Sequence, residues 1–262
     1  MTTKLNLLLK RCYMQNIILH EDHPRGFFSN LTTVLTCTRY LTNQGHDIQN
    51  IYLSPHMFTL YGHPANWFSP ECISDQGDMF NSLEGNDLSA HSNPEQLDLS
   101  YYLSRFSWNT RVKQYLESRV NIPPRTLGLH FRGTDHNIND TTHGSRVDLN
   151  VYLDKLHQLW STGQFSTVFL CSDESAVLDK ITNFLIHACN INNIIINPVT
   201  RISGRAGLHW GIHNFNTVKL ADEVILDAYC LSRCNDVIGK TSNLINFARI
   251  LTPDLRVHYT DL

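Results

Sequence analysis

The chain has 262 residues, of which 42% are hydrophobic and 17% are charged, and its formal net charge is -3 with histidine neutral. A chain of this length can form one large or two small domains with a sizeable core, and its composition is ordinary for a soluble globular protein. The nearly balanced charge gives no indication of binding to nucleic acid or to an acidic membrane surface. We therefore expect a partner that is recognised at a local site.

Cysteine and histidine usage argues against a disulfide framework and against a metal site. The seven cysteines are scattered without a Cys-x-x-Cys pair, and the fourteen histidines show no ligand spacing. The odd cysteine count favours a reducing compartment. The apolar stretch within residues 1–11 is too short for a secretion signal, and no run could span a bilayer, so we expect a cytoplasmic protein of bacterial or viral origin.

The N-terminal half, residues 1–120, predicts a small and irregular domain. A strand, a polar loop at 20–26 and a helix capped by Ser29 or Asn30 form the usual opening of a doubly wound domain. The irregular region at 54–94 contains Trp67-Phe68, whose rings could stack on a sugar or form a satellite core. The predicted strands and helices of this half are 16–19, 30–41, 49–53 and 99–119.

In the C-terminal half, residues 121–262, strands and helices alternate. This alternation predicts a parallel sheet with right-handed crossovers. The predicted strands are 127–131, 167–171, 193–196, 236–238 and 256–259. The predicted helices are 149–160, 175–188, 218–233 and 242–251.

The first candidate site follows the strand at 127–131. Polar residues that directly follow an apolar run are typical of the carboxyl ends of buried parallel strands, where ligands of open α/β sheets bind. The guanidinium of Arg132 can bind phosphate through a planar fork of donors. Gly133 allows a bulky anion to approach the backbone, and Asp135 can accept a hydrogen bond or a proton. A strand followed by a polar turn is the structural alternative.

Two further groups of candidates follow later strands. Asp173 and Glu174 come after the second strand, where Ser172 or Asp173 could instead cap the next helix. Ser242 begins the last helix and would offer its hydroxyl and amide to a phosphate. A simple helix cap is the alternative for Thr241, Ser242 and Asn243. Asp227 lies among apolar neighbours, so a solvated helix face explains it poorly.

These groups resemble, in the same order, the motifs of the α1,6-fucosyltransferases, which include the core N-glycan enzymes and the rhizobial nodulation type. The resemblance begins at His130-x-Arg132-Gly133-Thr134-Asp135 and covers about residues 127–251. It is most specific over 223–244, where residue types and spacing agree over more than twenty positions. It implies an α/β fold of two Rossmann-like halves facing a cleft, the glycosyltransferase B-type, with GDP-fucose bound by the C-terminal half.

The resemblance also implies roles for individual residues. Arg132 would bind the β-phosphate of GDP-fucose and support the transition state. His130 would lie beside the nucleotide, or else be a packed strand histidine. Asp227 would read guanine, because a carboxylate can accept from both the ring N–H and the exocyclic amine. A Gly-Leu-His run that also occurs in the relatives makes His209 a candidate.

The chain departs from the α1,6 pattern at several positions. Gly133 stands where those enzymes often have a second arginine, although the nodulation type shares it, and His136 stands where they have a lysine. Asp140 replaces a glutamate that is implicated as a base in the mammalian-type enzymes. It could deprotonate the acceptor hydroxyl, or it could be a loop residue that forms a turn. We also expect the chain to differ from the Golgi enzymes in having no counterpart of their membrane anchor.

We therefore expect a metal-independent enzyme without a cofactor, which transfers L-fucose from GDP-fucose to a glycan hydroxyl with inversion. Its partners would be GDP-fucose and an oligosaccharide or glycoconjugate acceptor. The alternatives are an α1,2-type or protein O-fucosyltransferase and a catalytically inactive module that binds a sugar nucleotide. A phosphate-transfer enzyme is disfavoured, because the sequence has no P-loop motif.

Overall fold

A computed structural model of the protein describes residues 16–20, 26–80, 99–132, 147–201 and 216–261. The chain divides into two compact units, Met1–Glu117 and Ser118–Leu262. Each unit combines α-helices with one parallel β-sheet, which confirms the predicted α/β class.

The N-terminal unit contains a three-stranded sheet in the order β2-β1-β3. The central strand β1 is short, and all of its side chains are apolar and buried, as expected for a parallel strand with a neighbour on each side. The strands are β1 (Ile17–Leu19), β2 (Ile51–Leu53) and β3 (Asp78–Phe80). The α-helices are α1 (Phe27–Asn43), α2 (Leu99–Leu103) and α3 (Thr110–Arg119), and the 3-10 helices are Ile48–Asn50, Pro64–Asn66 and Pro70–Cys72.

Helix α1 begins earlier than its polar residues predict. The predicted cap at Ser29 or Asn30 is wrong, because the helix starts at Phe27 after Gly26 and has no capping hydrogen bond from a side chain. Phe27 and Phe28 are both buried. Burying one such ring is worth about 1.5–3 kcal/mol, whereas a capping side chain contributes about 1 kcal/mol. Apolar contacts therefore decide where this helix begins.

Aromatic rings from the irregular region build the core of the N-terminal unit. Trp67 and Phe68 are both fully buried at 0% exposure. The centroid of the Trp67 ring lies 5.1 Å from that of Phe27, and Phe68 stacks on Trp108 at 5.1 Å. The core alternative is thus confirmed for these two residues, and a role in sugar stacking is wrong for them.

The single helix predicted over 99–119 is wrong, because the structure has the two helices α2 and α3 there. The segment between them pairs with the chain around Trp67. The Ser69 amide donates to the carbonyl of Ser107 at 2.9 Å, and the Asn109 amide donates to the carbonyl of Trp67 at 2.7 Å. The Asn109 side chain then accepts from the Val112 amide at the start of α3. Long-range pairing therefore overrides the helical periodicity.

The C-terminal unit contains five parallel strands in the order β6-β5-β4-β7-β8. Strands and helices alternate as predicted. The strands are β4 (Thr126–Phe131), β5 (Thr167–Ser172), β6 (Ile194–Ile195), β7 (Asp236–Gly239) and β8 (Arg256–Tyr259). The helices are α4 (Leu149–Trp160), α5 (Ser175–His187), α6 (Thr217–Ser232) and α7 (Asn243–Leu251).

Helices cover both faces of this sheet. On one face, Leu127, Leu129 and Phe131 of β4 share a buried apolar cluster with residues of α4 and α5. On the other face, a Cβ atom added at Gly128 would lie 3.0 Å from the Cys234 sulfur and 3.1 Å from Leu231. The glycine therefore allows the end of α6 to pack closely against the middle of the sheet.

A buried carboxylate fastens the edge strand β8 to β7. Asp236 accepts a hydrogen bond from Arg256 at 2.7 Å and contacts the Nε2 atom of His258 at 2.9 Å. Both partners belong to β8, and the carboxylate itself is 3% exposed. These contacts begin at the amino ends of the two strands and supplement the short ladder between them.

Candidate functional site

The strand order of the C-terminal sheet reverses at one position, between β4 and β7. From β4 the chain crosses through α4 to β5 on one side, whereas β7 pairs with β4 on the other side. Ligands of open α/β sheets bind at the carboxyl ends of strands where the order reverses in this way. His130 pairs with Gly239 across this point, and Phe131 pairs with Ser172 of β5. The polar residues after β4, β5 and β7 therefore share one edge of the sheet.

Two of the predicted residues lie at the tip of β4. Arg132 directly follows a strand whose six residues are all buried, and it is itself partly exposed. His130 is 6% exposed and shares the sheet face of Gly128, because side chains two residues apart in a strand point the same way. Arg132 thus directly follows a strand that is buried along its whole length.

The acids after β5 do not form the helix cap that was the alternative to a binding role. The N-cap position of α5 is Glu174, which makes no capping hydrogen bond with its side chain. Ser172 accepts from the Glu174 amide at 3.1 Å in a turn before the helix. The interpretation of Ser172 or Asp173 as the cap is therefore wrong, and Asp173 and Glu174 are both partly exposed at the sheet edge.

Ser242 caps helix α7 at the tip of β7. Its hydroxyl oxygen accepts from the Ile245 amide at 3.3 Å, and the side chain is buried. A hydroxyl both accepts and donates, so its proton is still available to a ligand oxygen. Asn243 is the first residue of the helix. The capping interpretation is confirmed for Ser242, and it is compatible with binding of an anion at the same atom.

Asp261, which follows β8, contacts the turn between β7 and α7. The sequence did not indicate this contact. The Thr241 amide donates to both carboxylate oxygens of Asp261, at 3.1 and 3.2 Å, and the Thr241 hydroxyl lies 3.3 Å from one of them. A chain carboxylate is thus bound next to the predicted anion site. No local pattern indicates it, because the two residues are brought together only by the pairing of β7 with β8.

Lys240 is a second residue that the sequence reasoning missed. It directly follows β7 and is only 4% exposed. An ammonium that is removed from water needs anionic or polar partners. The sequence could have indicated Lys240 as a site residue, because it follows an apolar strand within the block at 223–244. The tips of β4 and β7 therefore provide one cation each, Arg132 and Lys240, beside the reversal of strand order.

Asp227 lies on α6 and faces the interior. Its carboxylate accepts from the Asn197 side-chain amide at 2.8 Å. Burial raises the pKa of Asp227 to about 6, against the opposing effects of the Asn197 hydrogen bond and the positive charge of Arg201. Arg201 in turn donates to the backbone carbonyls of Asn197 and Val199. Asp227 thus stabilises the segment after β6, and its role as the guanine reader stays a prediction.

A buried tyrosine completes this edge of the sheet. The Tyr152 ring packs on Phe131, with the ring centroids 4.8 Å apart. Burial raises the pKa of Tyr152 to about 12, the nearby Asp261 charge raises it further, and Thr260 and the Lys240 backbone oppose the shift. The hydroxyl is therefore neutral at physiological pH.

Several predicted residues lie outside the described part of the chain, namely Gly133, Asp135, His136, Asp140 and His209. Within the described ranges, no three His, Cys, Asp or Glu side chains are grouped so that they could hold a metal ion. The described cysteines are free thiols, and burial raises the pKa of Cys171 well above its usual value. None of the helices in the described ranges is both long enough and apolar enough to cross a membrane.

The fold is similar to the α/β fold of solved fucosyltransferases. No protein-family model matches the sequence, and no curated protein matches it. The evidence for the class comes from solved structures, which match over nearly the whole chain.

The first of these structures is NodZ α-1,6-fucosyltransferase soaked with GDP-fucose, with a TM-score of 0.55, 12% identity, and coverage of 91% of this chain and 93% of that chain. Fucosyltransferase NodZ from Bradyrhizobium gives a TM-score of 0.56 at 13% identity, covering 94% and 96%. POFUT1 in complex with GDP-fucose gives a TM-score of 0.54 at 7% identity, covering 94% and 98%. At these identities the likeness shows the fold, and it confirms at that level the resemblance stated from the sequence.

Proposed function

We propose that the protein is a fucosyltransferase, which transfers L-fucose from GDP-fucose to a hydroxyl group of a glycan with inversion and without a metal ion. The observation that carries this proposal is the arrangement of Arg132, Lys240 and Ser242 on the neighbouring tips of β4 and β7. The likeness of the fold to structures that contain GDP-fucose supports the same donor.

In this proposal the diphosphate of the donor lies at the edge between β4 and β7. Arg132 binds the β-phosphate through its planar fork of donors. Ser242 donates its hydroxyl proton, while the start of α7 contributes the positive end of a helix dipole. Asp227 reads the guanine base with its carboxylate, which can accept from both the ring N–H and the exocyclic amine.

Transfer then proceeds as a direct displacement. The acceptor oxygen attacks the anomeric carbon, and the bond from that carbon to the β-phosphate oxygen breaks, with its electron pair leaving on GDP. Negative charge grows on the departing phosphate, and the preplaced cation of Arg132 stabilises it without reorganisation. The acceptor hydroxyl also loses a proton, for which the sequence offers Asp135 and Asp140. Arg132 and Lys240 supply the positive charge that a metal ion provides in other phosphate-binding sites.

A second candidate function is a module that binds GDP-fucose without turnover. The carboxylate of Asp261 favours it, because this anion already accepts from the Thr241 amide and hydroxyl beside the phosphate site. Such a module would bind GDP and transfer no fucose.

Calorimetry and a transfer assay test the proposal together. Titration with GDP, ADP and UDP should show a clear preference for GDP, and labelled GDP-fucose with chitotetraose should give fucosylated product whose linkage is then analysed. Equal binding of the three nucleotides would remove the donor assignment. A preference for GDP without product across neutral oligosaccharide and N-glycan acceptors would favour the inactive module.

A further inference from the structure

Two buried hydroxyl groups lie at the carboxyl ends of the C-terminal strands. Tyr152 of α4 is 0% exposed, and Thr260 follows β8, where its amide donates to the carbonyl of Gly239 at 3.1 Å. Within the described part of the chain, neither hydroxyl oxygen has a hydrogen-bond partner. A buried hydroxyl without a partner is costly, and most such groups in folded proteins are paired. A bound ligand could therefore complete the hydrogen bonding of Tyr152.

Packing of α4 fixes where the Tyr152 hydroxyl lies. The ring packs on Phe131 at the end of β4, with the ring centroids 4.8 Å apart. Three residues further along the helix, the Lys155 ammonium donates to the carbonyl of Tyr259 at 3.4 Å. Tyr259 is the last residue of β8. Helix α4 is therefore held against the carboxyl ends of both strands, and Tyr152 lies at the same edge of the sheet as the candidate phosphate site.

The Tyr152 hydroxyl is close to the turn between β7 and α7. Burial is the main reason why its pKa is raised to about 12, but Thr260, Asp261 and the Lys240 backbone also influence this pKa, so they lie near the hydroxyl. Asp261 is the carboxylate that accepts from the Thr241 amide at 3.1 and 3.2 Å. This turn therefore already binds one anionic group, and a buried hydroxyl that is unpaired among the described residues stands next to it.

A phosphoryl group differs in shape from the carboxylate that occupies the turn. Both oxygens of the planar Asp261 carboxylate accept from the Thr241 amide. A phosphoryl group is tetrahedral, so it can accept from that amide and from a second donor in another direction. Asp261 is exposed, and a ligand that displaces it also shifts Thr260, which directly precedes it beside the Tyr152 hydroxyl. Displacement of the carboxylate would therefore open this hydroxyl to the ligand.

We propose that Tyr152 is a phosphate-binding residue of the donor site, whose hydroxyl donates to a phosphate oxygen when the diphosphate replaces the Asp261 carboxylate at the Thr241 amide. This inference rests on the proposed transferase function and adds a donor from α4 to the groups on β4 and β7. A phenol suits this role because it is neutral at physiological pH, so it donates a hydrogen bond without repelling the anion.

The main experiment compares Tyr152→Phe with Tyr259→Phe. Tyr152→Phe keeps the ring that packs on Phe131 and removes only the hydroxyl. Calorimetry should show GDP binding weakened by about tenfold, as expected for a hydrogen bond to a charged group. The thermal midpoint should stay the same or rise, because the lost hydroxyl was unpaired among the described residues. Tyr259→Phe is the matched control. Its hydroxyl accepts from Arg249 at 3.3 Å, so this variant should lower the thermal midpoint slightly and leave GDP affinity unchanged.

NMR spectroscopy provides a readout that a structural role would not change. In protein labelled at the tyrosine ring carbon that bears the oxygen, the resonance that Tyr152→Phe removes should shift when GDP is added. The resonance that Tyr259→Phe removes should not shift. Unchanged GDP affinity in Tyr152→Phe would overturn the inference, and a lower thermal midpoint would then show that the hydroxyl is structural. A Tyr152 resonance that does not move at saturating GDP would overturn it as well.

The proposed function can fail independently of this inference. If the wild-type protein binds GDP but transfers no fucose, the transferase function fails, and calorimetry with GDP still decides the role of Tyr152. If the wild-type protein binds no GDP, pyrophosphate replaces GDP as the probe. Pyrophosphate binding that Tyr152→Phe weakens would then support the phosphate-binding role. No pyrophosphate binding, or equal binding by the wild type and the variant, would overturn it.

Discussion

The two units place different chemistry at the same point of their sheets. In each unit the first strand has neighbours on both sides, and the strand order reverses beside it. The residue after that strand is His20 in the N-terminal unit and Arg132 in the C-terminal unit. An oriented imidazole suits a hydroxyl that must lose a proton, whereas a guanidinium suits a phosphate. The same position of the two sheets therefore carries side chains of different chemical type.

The cores of the two units differ in a corresponding way. The N-terminal strands are three residues each, so they bury little apolar surface, and large rings such as Trp67 and Phe68 from irregular segments fill the core. The C-terminal unit instead buries six-residue strands between layers of helices. A regular core holds its strand tips by backbone pairing. The tip of β1 also depends on individual side-chain contacts, such as that of the Ser54 hydroxyl with the Nδ1 atom of His20 at 3.2 Å.

The largest expected effect is that of Arg132→Lys. Lysine keeps the charge and loses the planar fork, so transfer should fall by a hundredfold to a thousandfold, which corresponds to about 3–4 kcal/mol in the barrier. The thermal midpoint should stay unchanged. Arg233→Lys is the matched control, because Arg233 is an exposed arginine of the same unit. Activity near the wild-type level in Arg132→Lys would remove Arg132 from the mechanism, and the difference between the two strand tips would then have no functional meaning.

Lys240→Met should have the next largest effect. If the buried ammonium faces the diphosphate, its loss should weaken GDP binding about tenfold, as expected for a charge-assisted contact. Calorimetry over a range of salt concentrations measures this. Lys180→Met on the exposed part of α5 is the control. A lower thermal midpoint with unchanged GDP affinity would show instead that Lys240 serves a structural ion pair.

Asp227 gives a prediction that depends on pH. Its folded-state pKa of about 6 lies above the usual value of 3.8, so the folded state binds the proton more tightly than the unfolded state does. The free energy of unfolding should therefore decrease as pH rises from about 4 to 6. Asp227→Asn should flatten this dependence, measured by denaturant unfolding at several pH values. An equally steep dependence in the variant would assign it to other groups.

The same variant tests whether Asp227 reads guanine. An amide cannot accept from both guanine donors, so Asp227→Asn should reduce the preference for GDP over ADP. The matched control is Asp222→Asn on the same helix, where Asp222 is only partly buried. If Asp227→Asn leaves the preference for GDP over ADP unchanged, Asp227 serves only to hold the segment at Asn197.

The sequence predicted the C-terminal unit well for a physical reason. Its three central strands β4, β5 and β7 are buried on both faces, so they read as apolar runs. The polar residues that follow these runs, such as Arg132 and Ser242, therefore indicate the strand ends. The N-terminal unit was harder, because its elements depend on distant contacts. Phe27 extends α1 through rings that come from residues 58–67, and the segment at 104–109 is not helical because it pairs with the chain around Trp67.

The candidate site shows the same contrast between local sequence patterns and long-range contacts. Residues that follow a strand in the chain could be found from the sequence, whereas Asp261 could not, since it reaches Thr241 only through the pairing of β7 with β8. Lys240 lies within the block at 223–244, but the resemblance implied no role for it, so it was not among the predicted site residues. The contact of His20 with Ser54 could not be predicted either, since it joins residues 34 positions apart.

Asp261→Asn should have the smallest effect, and it should strengthen GDP binding rather than weaken it. The carboxylate places a negative charge beside the phosphate site at an exposed position, where screening by water and salt is strong. Removing that charge while keeping an oxygen that can accept from the Thr241 amide should tighten GDP binding about twofold to fivefold, and the gain should shrink at high salt. Asp254→Asn, at an exposed position before β8, is the control. Weaker GDP binding in Asp261→Asn would show that the carboxylate mainly holds the turn in shape for the phosphate. The C-terminal unit would then depend on individual long-range contacts as much as the N-terminal unit does.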